Sequence, residues 1–105
     1  MQTIYLKNFG KVLVSRPAGS EAFNAIRPTL NAHEPIQVDF EGVLTVTPSW
    51  LDEFLTHLAE FAAGGVVLLP TRNASVLAAL PVLASGRHDK VAEIIQRFLK
   101  ENTKT

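Results

Sequence analysis

The chain has no cysteine among its 105 residues. Disulfides and thiolate metal sites are therefore excluded, and a reducing compartment is compatible with the chain. Net charge is also missing, because ten basic residues balance ten acidic ones. A general nucleic-acid binder draws its affinity from an excess of Lys and Arg, so this balance argues against that class. Long apolar runs are absent too. None approaches the roughly 20 residues that span a bilayer, and Met1 to Lys7 lack the apolar core of a signal peptide. The expectation is a cytoplasmic protein with no membrane partner. Tryptophan occurs once, at Trp50, and tyrosine once, at Tyr5.

One further absence is local. Between Pro28 and Thr71 there is no Lys or Arg, while Glu34, Asp39, Glu41, Asp52, Glu53 and Glu60 fall inside that stretch. If these acids face outward together, they form a surface for a basic partner. The plainer reading is a solvated face neutralised by basic residues from either end of the chain.

What is present is enough for one core. Hydrophobic residues make up 47% of the chain and charged residues 19%, the mix of a folded protein. The length fits a single domain over residues 1–105. Thr3 to Leu6 and Lys11 to Val14 read as short strands. Asn8 and Gly10 between them tolerate positive φ, which predicts an antiparallel hairpin. Ser20 to Leu30 reads as a helix through Phe23, Ile26, Arg27 and Leu30, with Pro28 kinking or ending it early.

Pro35 to Phe40 is the clearest strand, because Ile36, Val38 and Phe40 alternate with Gln37, Asp39 and Glu41. Gly42-Val43 then turns the chain. Thr47 is a sound N-cap, and Pro48 at the first helical position wastes no hydrogen bond. Asp52 and Glu53 favour the positive end of that helix, and Leu51, Phe54, Leu55, Leu58 and Ala62 form its buried stripe. Gly64-Gly65 ends it.

Val66 to Leu69 reads as a strand covered on both faces. Asn73 caps a helix that breaks at Pro81 and resumes briefly to Ser85. Asp89 caps the last helix, whose stripe is Val91, Ile94, Ile95, Phe98 and Leu99. The polar tail after Lys100 is expected to fray. The order is β-β-α-β-α-β-α-α, an α/β fold with a mixed four-stranded sheet and helices packed on it.

That order, together with Val38-Asp39-Phe40-Glu41-Gly42-Val43 and Val46-Thr47-Pro48-Ser49-Trp50-Leu51-Asp52-Glu53-Phe54, resembles the STAS-like family. The match is to its branch of unknown function, related to the anti-sigma-factor antagonists. The resemblance implies a stand-alone regulatory module that acts by protein–protein interaction in a phosphorylation-linked signalling or transcription-control pathway. Its partner would be a kinase-like or sigma-type regulator. In the antagonists a serine at this helix start is phosphorylated, and the added charge weakens the complex. Carried over without gaps, that serine falls on Pro48, with Thr47 and Ser49 on either side. The resemblance thus marks Thr47, Ser49, Trp50, Asp52 and Glu53 as the partner-binding or phospho-accepting set.

Each residue of the set also has a plainer reading. Capping and dipole compensation account for Thr47, Asp52 and Glu53, and Trp50 begins the buried stripe unless part of its indole is exposed as an anchor. Glu53, His57 and Glu60 have one-turn spacing that could hold a metal, but a surface charge pair is the stronger reading. No catalytic set emerges: Gly64-Gly65 precedes a strand rather than a helix, and no serine has a base and an orienting acid beside it. The chain is read as a non-enzyme without cofactor. The rival function is a domain holding a nucleotide or metabolite at the same strand ends. A homodimer through paired sheet edges is a further expectation.

Overall fold

The computed structural model describes residues 1–102 of the chain. The fold is α/β. The described residues hold five strands, β1 (Gln2–Tyr5), β2 (Val12–Leu13), β3 (Ile36–Asp39), β4 (Thr45–Val46) and β5 (Val66–Leu68), and four α-helices, α1 (Arg16–Ile26), α2 (Pro48–Phe61), α3 (Ala74–Ala84) and α4 (Lys90–Asn102), in the order β1-β2-α1-β3-β4-α2-β5-α3-α4.

All the pairings are parallel, and they divide between two small sheets: β1-β3-β5, and the ribbon β2-β4. The mixed four-stranded sheet expected from the sequence is therefore not formed, and neither is the hairpin. Leu6–Phe9 coils into a 3-10 turn that buries Leu6, and Gly10 at φ 127° carries the chain on to β2. β1 and β2 each wait for a later strand, Tyr5 opposite Asp39 and Leu13 opposite Val46. The asparagine and glycine that suggested a two-strand turn serve instead to move the chain from one sheet to the next.

The register explains the core. Ile4, Val38 and Leu68 form one row across the main sheet, Ile36 and Val66 another, and all five are buried. The row on the other face, Thr3, Gln37 and Val67, is only half-buried. Val66–Leu68 is thus covered on one face, not on both. The expected α2 stripe, Leu51, Phe54, Leu55, Leu58 and Ala62, lies wholly inside the core, as do Val91, Ile94, Ile95 and Phe98 of α4, with Leu99 packed at its margin.

The start of one helix and the expected break in another differ from expectation, while Pro28 ends α1 early as expected. α1 begins at Arg16, not at Ser20, because Ser15 caps it by accepting a hydrogen bond from the Ala18 N–H, with Pro17 in the first turn. α1 ends at Ile26, and Pro28 falls in a 3-10 turn, Arg27–Thr29. α3 runs unbroken through Pro81. Pro81 is exposed while Leu80 and Ala84 on either side of it are buried, so the missing backbone donor faces solvent and packing holds the helix together. The tail beyond Asn102 lies outside the described residues. No helix among them is long and apolar enough to cross a membrane.

Candidate functional site

The ribbon β2-β4 meets the starts of α1, α2 and α3 at one rim, and the sequence explains each junction. Thr47 leaves β4 in extended conformation, donates its N–H to the Leu13 carbonyl at 3.0 Å, and caps α2 by accepting from the Trp50 N–H at 3.4 Å. Ser49 lies half-buried in the first turn, with its Oγ 3.3 Å from Thr47 Oγ1. Ser15, at the β2-to-α1 junction, has φ 75°, a conformation that costs a non-glycine residue on the order of 1–3 kcal/mol.

Asn73 does two jobs at the rim. Its Oδ1 accepts from the Ser75 and Val76 N–H groups, capping α3, while its amide donates to the carbonyls of Val43 at 2.7 Å and Leu44 at 3.4 Å. Ser75 Oγ then accepts from the Val46 N–H at 3.0 Å. The crossover from β3 to α2 is thereby clamped by side chains some thirty residues later. Its outer positions, Leu44, Thr45 and Pro48, face solvent, and Leu44 is 67% exposed.

The five residues singled out in the sequence separate here. Thr47 and Ser49 come together as a hydroxyl pair. Trp50 does not join them at the surface: it is 1% exposed and stacks on Phe54 with ring centroids 5.0 Å apart. Residues 47–53 start a helix at the rim as expected, but that helix enters the core and not solvent.

Asp52 and Glu53 are bound to basic residues. Arg16 donates to Asp52 Oδ2 at 2.9 Å and Glu53 Oε2 at 3.2 Å, and Arg87 donates to Asp52 Oδ1 at 2.7 Å. Thr56 Oγ1 donates to Asp52, and Glu53 Oε1 pairs with His57 Nε2 at 3.1 Å. Arg16 and Arg87 come from either side of the base-free stretch, so two of its six acids, Asp52 and Glu53, are neutralised by neighbours from the ends of the chain. Glu53 and His57 come together one turn apart as expected, as a hydrogen-bonded surface pair, and no group of three His, Asp or Glu side chains among the described residues could hold a metal.

Burial pushes the Asp52 carboxyl upward, but hydrogen bonds from Arg87 and Arg16, with the Thr56 hydroxyl and the Arg87 charge, outweigh it and leave Asp52 below the ordinary carboxylate value. Asp89 is held low chiefly by its hydrogen bond from Arg87. The folded chain therefore binds these protons less readily than the unfolded one. The resulting stability is fully present above the ordinary carboxylate range and drains away as pH falls through the depressed folded values. Asp52→Ala should cost about 1–2 kcal/mol at neutral pH, because it removes the acceptor that the half-buried Arg87 shares with Thr56 and Arg16, although Arg87 keeps Asp89 and Arg16 keeps Glu53. Urea titrations test this: the gap between wild type and variant narrows steadily as pH falls below the ordinary carboxylate value if charge is its source. A gap that does not change with pH there would assign it to packing.

Arg16, Arg87 and the β4 segment were not among the sequence candidates. No protein-family model, curated protein or solved structure matches the chain. The resemblance to STAS-like domains thus rests on the residues quoted for it.

Proposed function

We propose that the chain is a STAS-like regulatory module that binds another protein, a kinase-like or sigma-type regulator, through the clamped crossover Leu44–Ser49. The observation that carries this reading is the exposure of Leu44 beside the Thr47–Ser49 hydroxyl pair, on a segment held rigid from beneath by Asn73 and Ser75. A large apolar side chain in solvent on a preorganised loop offers contact area at little ordering cost. Trp50, Asp52 and Glu53 support the segment from below and do not meet the partner.

Ser49 is the point of control in this reading. Charge in the first turn of α2 suits the helix dipole, so a phosphate or glutamate there leaves the fold intact. The same charge lies on the apolar rim, where a partner must desolvate it. Ser49→Glu and Leu44→Glu should each lower recovery of the partner regulator from cell extract by about tenfold or more, equivalent to about 1.4 kcal/mol of binding. Both variants should melt within a few degrees of wild type. Equal recovery of every captured protein by wild type and both folded variants would remove this surface from consideration. A metabolite or nucleotide that raises the melting temperature, with no protein captured, would favour the ligand-binding alternative.

A further inference from the structure

The outer edge of β2 carries an inference independent of the crossover. The Lys11 carbonyl accepts from the Leu44 and Thr45 N–H groups, and the Leu13 carbonyl from the Thr47 N–H. Lys11 and Leu13 therefore turn their carbonyls toward β4. Strand alternation sends the N–H and C=O groups of Val12 and Val14 the other way, to an open edge. The side chains of the same two residues are 59% and 46% exposed. Beside them runs an open groove of about 400 Å³, whose lining includes Phe9, Ala18 and Ala22, with Glu21 as its one charged residue.

We infer that this edge is an interface between two copies of the chain, joined as antiparallel β2 strands about a two-fold axis through Leu13. That register sets Val12 opposite Val14 of the second copy and Val14 opposite its Val12. Each such pair exchanges both backbone hydrogen bonds and brings two valines side by side. Gly10 at φ 127° and Ser15 at φ 75° bound the straight segment, which leaves it the length for this pairing and no more.

Charge singles out a second copy over an unrelated strand. Lys11 at the start of β2 and Glu21 on α1 make no ion pair among the described residues. The two-fold lays the Lys11 end of one strand against the Ser15 end of the other, where α1 begins, with Glu21 more than a turn along that helix in the lining of the same groove. One acid and one base on the same edge are thus self-complementary, as an isologous contact requires. Ala18 and Ala22 keep the α1 surface low enough for the second copy to approach.

The interface is short, so dissociation in the micromolar range is expected. Sedimentation equilibrium should show the mass rising from monomer toward dimer between about 1 μM and about 500 μM protein. Val14→Glu should be monomeric across that range with an unchanged melting temperature. Val12→Pro removes only an outward-facing donor and should likewise be monomeric, giving a second route if the glutamate disturbs folding. Lys11→Glu and Glu21→Lys should each weaken the dimer, and the double exchange should restore it. A wild-type chain that stays monomeric throughout overturns the interface. So does a folded Val14→Glu or Val12→Pro protein that dimerises as wild type does, or a double exchange no better than the single ones.

Discussion

Trp50→Ala should lose about 3–5 kcal/mol of stability, a large part of the roughly 5–15 kcal/mol that holds a domain of this size together. The indole is 1% exposed, lies at 14° to the Phe54 ring and has Phe9 at 6.3 Å on another side. Phe54 in turn packs against Phe9 and Phe23, so removing the indole opens a cavity in the middle of an aromatic cluster. The neighbours belong to two helices and a 3-10 turn held by separate hydrogen bonds, and they cannot collapse together to fill it. Urea unfolding followed by far-UV circular dichroism measures the loss. Trp50→Phe should recover much of it, since an aromatic ring still meets Phe54. The opposite result, a stable Trp50→Ala protein that has lost its partner, would make Trp50 a surface anchor and contradict its place in the core.

Trp50 also shows where the sequence was legible. Its position at the head of a helical stripe that includes Leu51, Phe54, Leu55 and Leu58 predicts burial, and the family resemblance predicts partner contact. The periodicity carried the physical information, because it reports which face of α2 must leave water. The caps Thr47, Asn73 and Asp89 were readable for a similar reason: each satisfies a donor two or three residues away. β3 was readable because its alternation extends over enough residues to show a period of two.

The unread features are short or non-local. β2 and β4 have two residues each, too few to display a period. Asn8 and Gly10 announce a change of direction without saying which strand comes next, so a 3-10 turn between two sheets looks like a hairpin. Arg16 and Arg87 reach Asp52 across 36 and 35 residues, and no local pattern encodes that meeting. The base-free stretch was the only trace of it: six acids without a cation must either face water or receive cations from elsewhere in the chain. Ser15-Arg16-Pro17 did carry a start signal for α1, a capping residue with proline close behind. The apolar spacing from Phe23 onward drew the boundary too late.

Gly19→Ala sets local propensity against packing, and packing should win. On propensity alone, alanine within α1 would gain about 1 kcal/mol over glycine. A Cβ at position 19, however, would lie 2.6 Å from the Trp50 carbonyl oxygen and 3.2 Å from Glu53 Cβ. The oxygen belongs to the α2 backbone and cannot rotate away, so α1 itself must move outward. That movement strains the Arg16 bridges to Asp52 and Glu53, which span the same two helices at 2.9 and 3.2 Å. It also pulls on β2, because only Val14 and Ser15 separate that strand from α1. The expected net loss is about 2–4 kcal/mol, at the upper end for an overpacked core site. Ala25→Gly, at an exposed position on the same helix, should cost about 1 kcal/mol and calibrates the propensity term. If thermal or urea melts find Gly19→Ala more stable than wild type, α1 and α2 are not in the close contact that brings Arg16 to Asp52, and the rim built on that contact would have to be redrawn.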